Sequence, residues 1–147
     1  GHAALVTRDG GAVIVVAACG EGAGSRSYEA WMDDPRITSH EAVLARYAGE
    51  GYRIGPHKAY LLSRDAQRVH LTFVTEMAPD LARRLLLNPA ATRPGMAAQH
   101  QLQAALAAVL PRLAHRPGSP VRQPRIGVMP WANATIPVLA APSHARP

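Results

Sequence analysis

Two short stretches of this chain carry residue types whose spacing could support chemistry. The first is Gly20-Glu21-Gly22-Ala23-Gly24-Ser25-Arg26-Ser27, directly after an apolar run. Its glycines let the backbone approach a bound group closely, and Ser25 or Ser27 can cap a helix carrying Tyr28 and Trp31. Free N–H groups at the start of such a helix favour an anion. Glu21, Gly22, Gly24 and Ser25 are therefore candidates to hold a phosphate or carboxylate. The competing reading is a structural tight turn. Glu21 would repel an anion, the glycine spacing does not match the dinucleotide fingerprint, and no lysine follows as a phosphate-binding loop requires.

The second stretch is Gly55-Pro56-His57-Lys58. Proline is tolerated best in the first turn of a helix, which puts His57 and Lys58 at the positive end of the helix dipole. Cations are mildly disfavoured there, so their placement suits a charged ligand; the plainer reading is two solvated side chains. No other constellation stands out. His40, His70, His100, His115 and His144 lack metal-ligand spacing, and no nucleophile elbow or carboxylate pair in a cleft is present. Cys19 is the single cysteine, excludes an internal disulfide or cysteine-based metal site, and reads as a small buried apolar residue. No catalytic residue and no metal ligand is assigned to this chain.

These segments must be positioned by regular elements. Residues 12–18 form an unbroken, mainly β-branched run without polar alternation, the pattern of a parallel strand covered on both faces. Thr38 and Glu41 have capping-box spacing, and the apolar stripe of Val43, Leu44 and Tyr47 predicts a helix over 39–48 that Gly49 and Gly51 stop. A second helix follows Pro56 to residue 67, and a second strand covers 69–75. Pro79 opens a short helix closed by Asn88-Pro89. Leu102, Leu106, Val109 and Leu113 lie at helical spacing, with Pro111 expected to break or kink the last turn. Residues 126–129 read as a third strand and 135–139 as a short fourth. The proline-rich 116–124 reads as a linker, and 140–147 as a flexible tail.

Strands alternating with helices predict a single α/β domain over 1–147, an open, mostly parallel sheet flanked by helices in a Rossmann-like three-layer arrangement. Ligands collect at the carboxyl ends of strands in such folds, here 19–28, 76–79 and 130–135. Residues 3–6 read as the last turn of a helix ending at Gly10, and Gly1-His2 as a remnant of cloning, so the chain reads as an excised domain. The net charge is +6, but the arginines are scattered and not interleaved with aromatics, which predicts no specific nucleic-acid partner. No apolar run is long enough to cross a bilayer and no signal-peptide layout is present, so no membrane partner and a cytoplasmic location are expected.

The ordered motifs resemble the C-terminal domain of the nickel-dependent lactate racemase family. They are Gly10-Gly11 before the strand, the stretch from Ala17 to Ser25, Trp31, Gly55-Pro56-His57-Lys58-Ala59-Tyr60, Val74-Thr75-Glu76, Met129-Pro130 and Thr135-Ile136-Pro137-Val138-Leu139. The resemblance covers nearly all of residues 3–139 and rests on order and spacing together. It implies the lobe that closes the substrate cleft of a 2-hydroxy-acid racemase or epimerase, inactive alone. The nickel-pincer nucleotide would be bound by a missing N-terminal domain of the same protein, leaving this chain without a cofactor of its own. The family's cofactor lysine, nickel-binding histidine and acid/base histidines belong to that domain, and its substrate-side Gln and Lys would precede residue 3. A position often occupied by Trp in the racemases falls at or beside His57, which implies a relative with a different 2-hydroxy acid, or one whose substrate is not lactate at all. The alternative is a free-standing α/β domain that binds a phosphorylated or carboxylated small molecule through the glycine-rich loop.

Overall fold

The computed structural model describes residues 1–90, 95–114, 123–132 and 134. Among them the chain is a mixed α/β structure with six helices and a two-stranded parallel sheet. The order is α1 (His2–Val6), β1 (Ala12–Val16), α2 (Arg26–Met32), α3 (His40–Glu50), α4 (Pro56–Ala66), β2 (His70–Val74), α5 (Pro79–Arg84) and α6 (Ala98–Ala114). No helix among the described residues is long and apolar enough to cross a membrane.

Local chemistry accounts for most of the helix starts. Ser25 caps α2, its hydroxyl accepting from the Tyr28 N–H at 3.4 Å, and Ser39 caps α3 by accepting from Ala42 N–H at 3.2 Å. The cap of α3 is thus Ser39, one residue beyond the expected Thr38, and Glu41 accepts from the side-chain amide of Gln67, the C-cap of α4, at 2.9 Å. Pro56 and Pro79 open α4 and α5. Pro111 does not break α6, which continues to Ala114. Proline this close to the helix end removes one late hydrogen bond and leaves the preceding turns intact. α1 stops at Thr7 and not at Gly10.

The helices build the larger core. Tyr28, Trp31 and Met32 from α2 meet Val43 from α3, Ala59 from α4, and Ala82 and Leu85 in and just after α5, with Ile37 and Met77 filling between them. Tyr47 and Tyr60 stack across the α3–α4 contact with ring centroids 4.6 Å apart, a geometry that adds to area burial. A second, smaller core joins the sheet to α6 through Val74, Ala90 and Ala105, with Ile14 and Leu102 packed against it. β1 and β2 pair in register from Ala12↔His70 to Val16↔Val74.

Three expectations differ from the structure. The sheet has two strands among the described residues, so β1 is half-buried and not covered on both faces, and Val16 is 56% exposed. Residues 126–129 form no strand and Ile126 and Val128 stand in solvent, because β-propensity alone makes no strand until the segment pairs with a neighbour. Cys19 is exposed and not buried, since the chain leaves the sheet just before it and adopts a positive φ of 50° there. The expected fourth strand at 135–139, the tail from 140 and most of the linker at 116–124 lie outside the described residues.

Among the described residues Leu85 is the largest fully buried side chain. Leu85→Ala should destabilise the fold by about 2 to 5 kcal/mol, read as a lower urea midpoint with an unchanged m-value.

Candidate functional site

The beginnings of α2 and α4 lie against each other, and the contact is made by a residue without a side chain. A Cβ on Gly55 would stand 2.2 Å from Ser27 Oγ and 3.2 Å from the Tyr28 nitrogen, and Gly55 has φ +100°. Only glycine satisfies both conditions. The two stretches flagged in the sequence are therefore neighbours in space. Ser25 Oγ lies 3.2 Å from Ser27 Oγ, Ser27 abuts Gly55, and the Gly55 N–H donates to His57 Nδ1 at 3.1 Å. This chain of short contacts links the glycine-rich loop to the start of α4.

Within the loop two backbone N–H groups are taken by the turn itself. Gly22 N–H donates to Cys19 O at 3.0 Å, and Ala23 N–H donates to the Glu29 carboxylate at 2.8 Å. A Cβ on Gly22, which has φ +90°, would fall 2.9 Å from that same carboxylate oxygen. Glu29 thus occupies the ground where the sequence suggested an external anion. Glu21 and Gly24 are exposed, and Ser25 is half-buried by its capping role. Burial, reinforced by the neighbouring Glu29 charge, pushes the Tyr28 phenol up to about 12, so it stays a neutral donor.

At α4 the first-turn amides are likewise taken: His57 N–H donates to Arg53 O at 3.1 Å and Lys58 N–H to Gly55 O at 2.9 Å. The helix start therefore offers side chains and not backbone donors. Because Nδ1 of His57 accepts from Gly55, the proton of the neutral ring sits on Nε2. The ring tilts against Tyr52, centroids 5.8 Å apart, and Lys58 is exposed. Neither flagged stretch lines a deep cavity. A space of about 190 Å³ lies between β2 and α6 and a shallow one of about 270 Å³ between α2 and α5; Arg26 borders the shallow one, and His57 and Lys58 line neither. The candidate site is an open face.

An ionic strap that sequence reasoning missed ties the far end of α2 to α3. Trp31 Nε1–H donates to Glu50 Oε2 at 2.8 Å, Arg46 donates to Glu50 Oε1 at 2.6 Å and to Trp31 O at 2.9 Å, and its guanidinium lies 4.4 Å from the Trp31 ring centroid. The Arg46–Glu50 spacing of one helical turn was a readable signal; the partnership with Trp31, fifteen residues away from Arg46, was not. Arg36 and Arg46 also hold the Asp34 carboxyl well below the usual carboxylate range, Arg36 contributing most through its hydrogen bonds. Elsewhere His40 Nδ1 lies 3.0 Å from Ser63 Oγ, and burial lowers the histidine's pKa against the opposing pull of Glu41. Among the described residues no three His, Cys, Asp or Glu side chains converge as a metal site would require.

The chain matches no protein-family model, and no curated protein or solved structure matches it.

The hydrogen bonds from Arg46 first, and then Trp31, lower the Glu50 carboxyl from 4.5 to about 2. A carboxyl depressed in the folded state contributes stability above its unfolded value and loses it as pH falls toward the folded one. Stability should decline between about pH 4.5 and pH 2, and Glu50→Gln should lower stability at neutral pH while flattening that decline. Urea melts across the window check both; a slope unaltered by Glu50→Gln counts against the strap.

Proposed function

We propose that this chain is the cleft-closing lobe of a 2-hydroxy-acid racemase or epimerase of the nickel-dependent lactate racemase type. In this reading its parallel strands belong to a Rossmann-like three-layer sheet. The observation that carries the reading is the Gly55–Ser27 approach, which sets the serine-capped start of α2 against the start of α4, where His57 bonds Gly55 and Lys58 is exposed. An open face bearing a cation and a hydrogen-bond donor is half of a cleft, and a facing domain supplies the other half.

Lys58, exposed at the second turn-forming position after Pro56, is the counter-ion for a substrate carboxylate. His57 donates from Nε2 to a hydroxyl, since Nδ1 is held by Gly55. Among the described residues no three metal-donor side chains converge. As the resemblance implies, the pincer nucleotide and the hydride chemistry it supplies belong in this reading to an N-terminal domain of the same protein, with no step assigned to this chain.

In the full-length protein Lys58→Ala should weaken 2-hydroxy-acid binding by about 1 to 3 kcal/mol, roughly five- to 150-fold in KM, through loss of one charged hydrogen bond. The melting temperature should barely change, because an exposed helix position accepts alanine. Steady-state kinetics in which both Lys58→Ala and His57→Ala match the parent would overturn the assignment. The 147-residue chain on its own should retain far less than one nickel per molecule after loading and desalting, and elemental analysis that finds a stoichiometric ion would contradict the division of labour between domains.

A further inference from the structure

β1 uses only one of its two edges. His70 N–H donates to Gly11 O at 2.8 Å and Ala17 N–H to Val74 O at 3.0 Å, so positions 11, 13, 15 and 17 face β2. Backbone groups alternate in a parallel ladder, and those of Ala12, Ile14 and Val16 point the other way. Among the described residues nothing bonds them. The far edge of β2 is closed by contrast: Phe73 N–H donates to Asn88 O at 2.8 Å and Ala90 N–H to Phe73 O at 2.7 Å, bridging Pro89. The open edge of β1 reads Ala-Val-Ile-Val-Val, with no charge, proline or bulge to discourage pairing.

The course of α6 indicates what covers it. Leu102 and Ala105, in the first half of the helix, join the core containing Ile14 and Val74, whereas Val109, Arg112 and Leu113 line a cavity with His70 and Leu71 at the start of β2. α6 thus runs antiparallel to the strands and delivers the chain to the end of the sheet where a parallel strand begins. The outer edge of β1 is about 10 Å from β2, two strand spacings, and the ten residues 115–124 can span at most about 33 Å. Residues 125–129 come next, Arg-Ile-Gly-Val-Met, bounded by Pro124 and Pro130 and so equal in length to the five-residue β1. Ile126 is 63% and Val128 81% exposed, two β-branched side chains left in water while a β-branched edge stands unpaired.

We propose that residues 125–129, unpaired in this structure, add to the free edge of β1 as a third parallel strand, with α6 as the crossover helix of a βαβ unit. The sheet order becomes β2, β1, then 125–129, and both neighbours of β1 run parallel to it. A crossover of this kind is the usual way for a parallel strand to return to a sheet.

Amide hydrogen exchange on the full chain tests the pairing. The Ile14 and Val16 amides should exchange at least about a hundredfold more slowly than in an unstructured peptide, although no described group accepts from them. Whichever of residues 126 and 127 turns its N–H toward β1, one of Ile126→Pro and Gly127→Pro removes a ladder donor. At least one variant should therefore return Ile14 and Val16 to near-free exchange while Val13 and Val15, bonded to β2, keep their protection. Free exchange of Ile14 and Val16 in the unaltered chain overturns the proposal, as does protection that survives both variants. Protection that grows with protein concentration also overturns it, in favour of a strand from a second copy of the chain.

Discussion

Were there an atom at Cβ of residue 55, it would sit 2.2 Å from Ser27 Oγ, 3.0 Å from Ser27 Cβ and 3.2 Å from the Tyr28 nitrogen, and the start of α4 would have to draw back from α2. The remaining organisation of the helical layer follows from that permitted approach. Pro56 starts α4 directly against the start of α2, Ala59 then reaches the core beside Tyr28 and Trp31, and α3 packs along α4 through the Tyr47–Tyr60 stack. The small side chain of Ala59 continues what Gly55 begins. A larger residue at either position would push the two helix starts apart and separate the loop from His57.

The strap formed by Trp31, Arg46 and Glu50 sets the opposite end of the same layer. Here the stabilising element is a planar guanidinium that stacks on an indole while bonding both a carboxylate and a backbone carbonyl. Arginine does this with fixed geometry, and lysine, a point charge on a flexible stem, would not. Between Gly55 and the strap, α2 is held at both ends although it has only seven residues. A helix that short has little stability of its own, so its orientation is inherited from its contacts.

Much of this was legible from the chain because the signals are local. Pro56 and Pro79 marked helix starts, β-branched runs marked β1 and β2, and a serine cap for α2 was expected and found at Ser25. The misses were of a different kind. Whether residues 126–129 pair is decided by an edge more than a hundred positions earlier, and no periodicity in Ile-Gly-Val-Met encodes that edge's availability. Cys19 looked buried because it ends an apolar run, yet the backbone turns out of the sheet before it. For the candidate site, each stretch was readable separately, but their adjacency was not, since it depends on Gly55 touching a residue twenty-eight positions before it. The role of Glu29 was invisible for the same reason at shorter range: a carboxylate on the first turn of α2 folds back on its own loop.

The two tryptophans divide between the structure's two regimes. Trp31 is 6% exposed beneath a guanidinium and bonded to a carboxylate, whereas Trp131, just beyond Pro130, is 73% exposed. Indole emission shifts to longer wavelength in water, and nearby charges alter its intensity. Trp31 therefore reports on the helical layer, and Trp131 on the segment that follows α6. The native protein carries two intrinsic optical probes, one for the loss of its main core and one for rearrangement at its carboxyl-terminal side, separable by replacing either indole with phenylalanine.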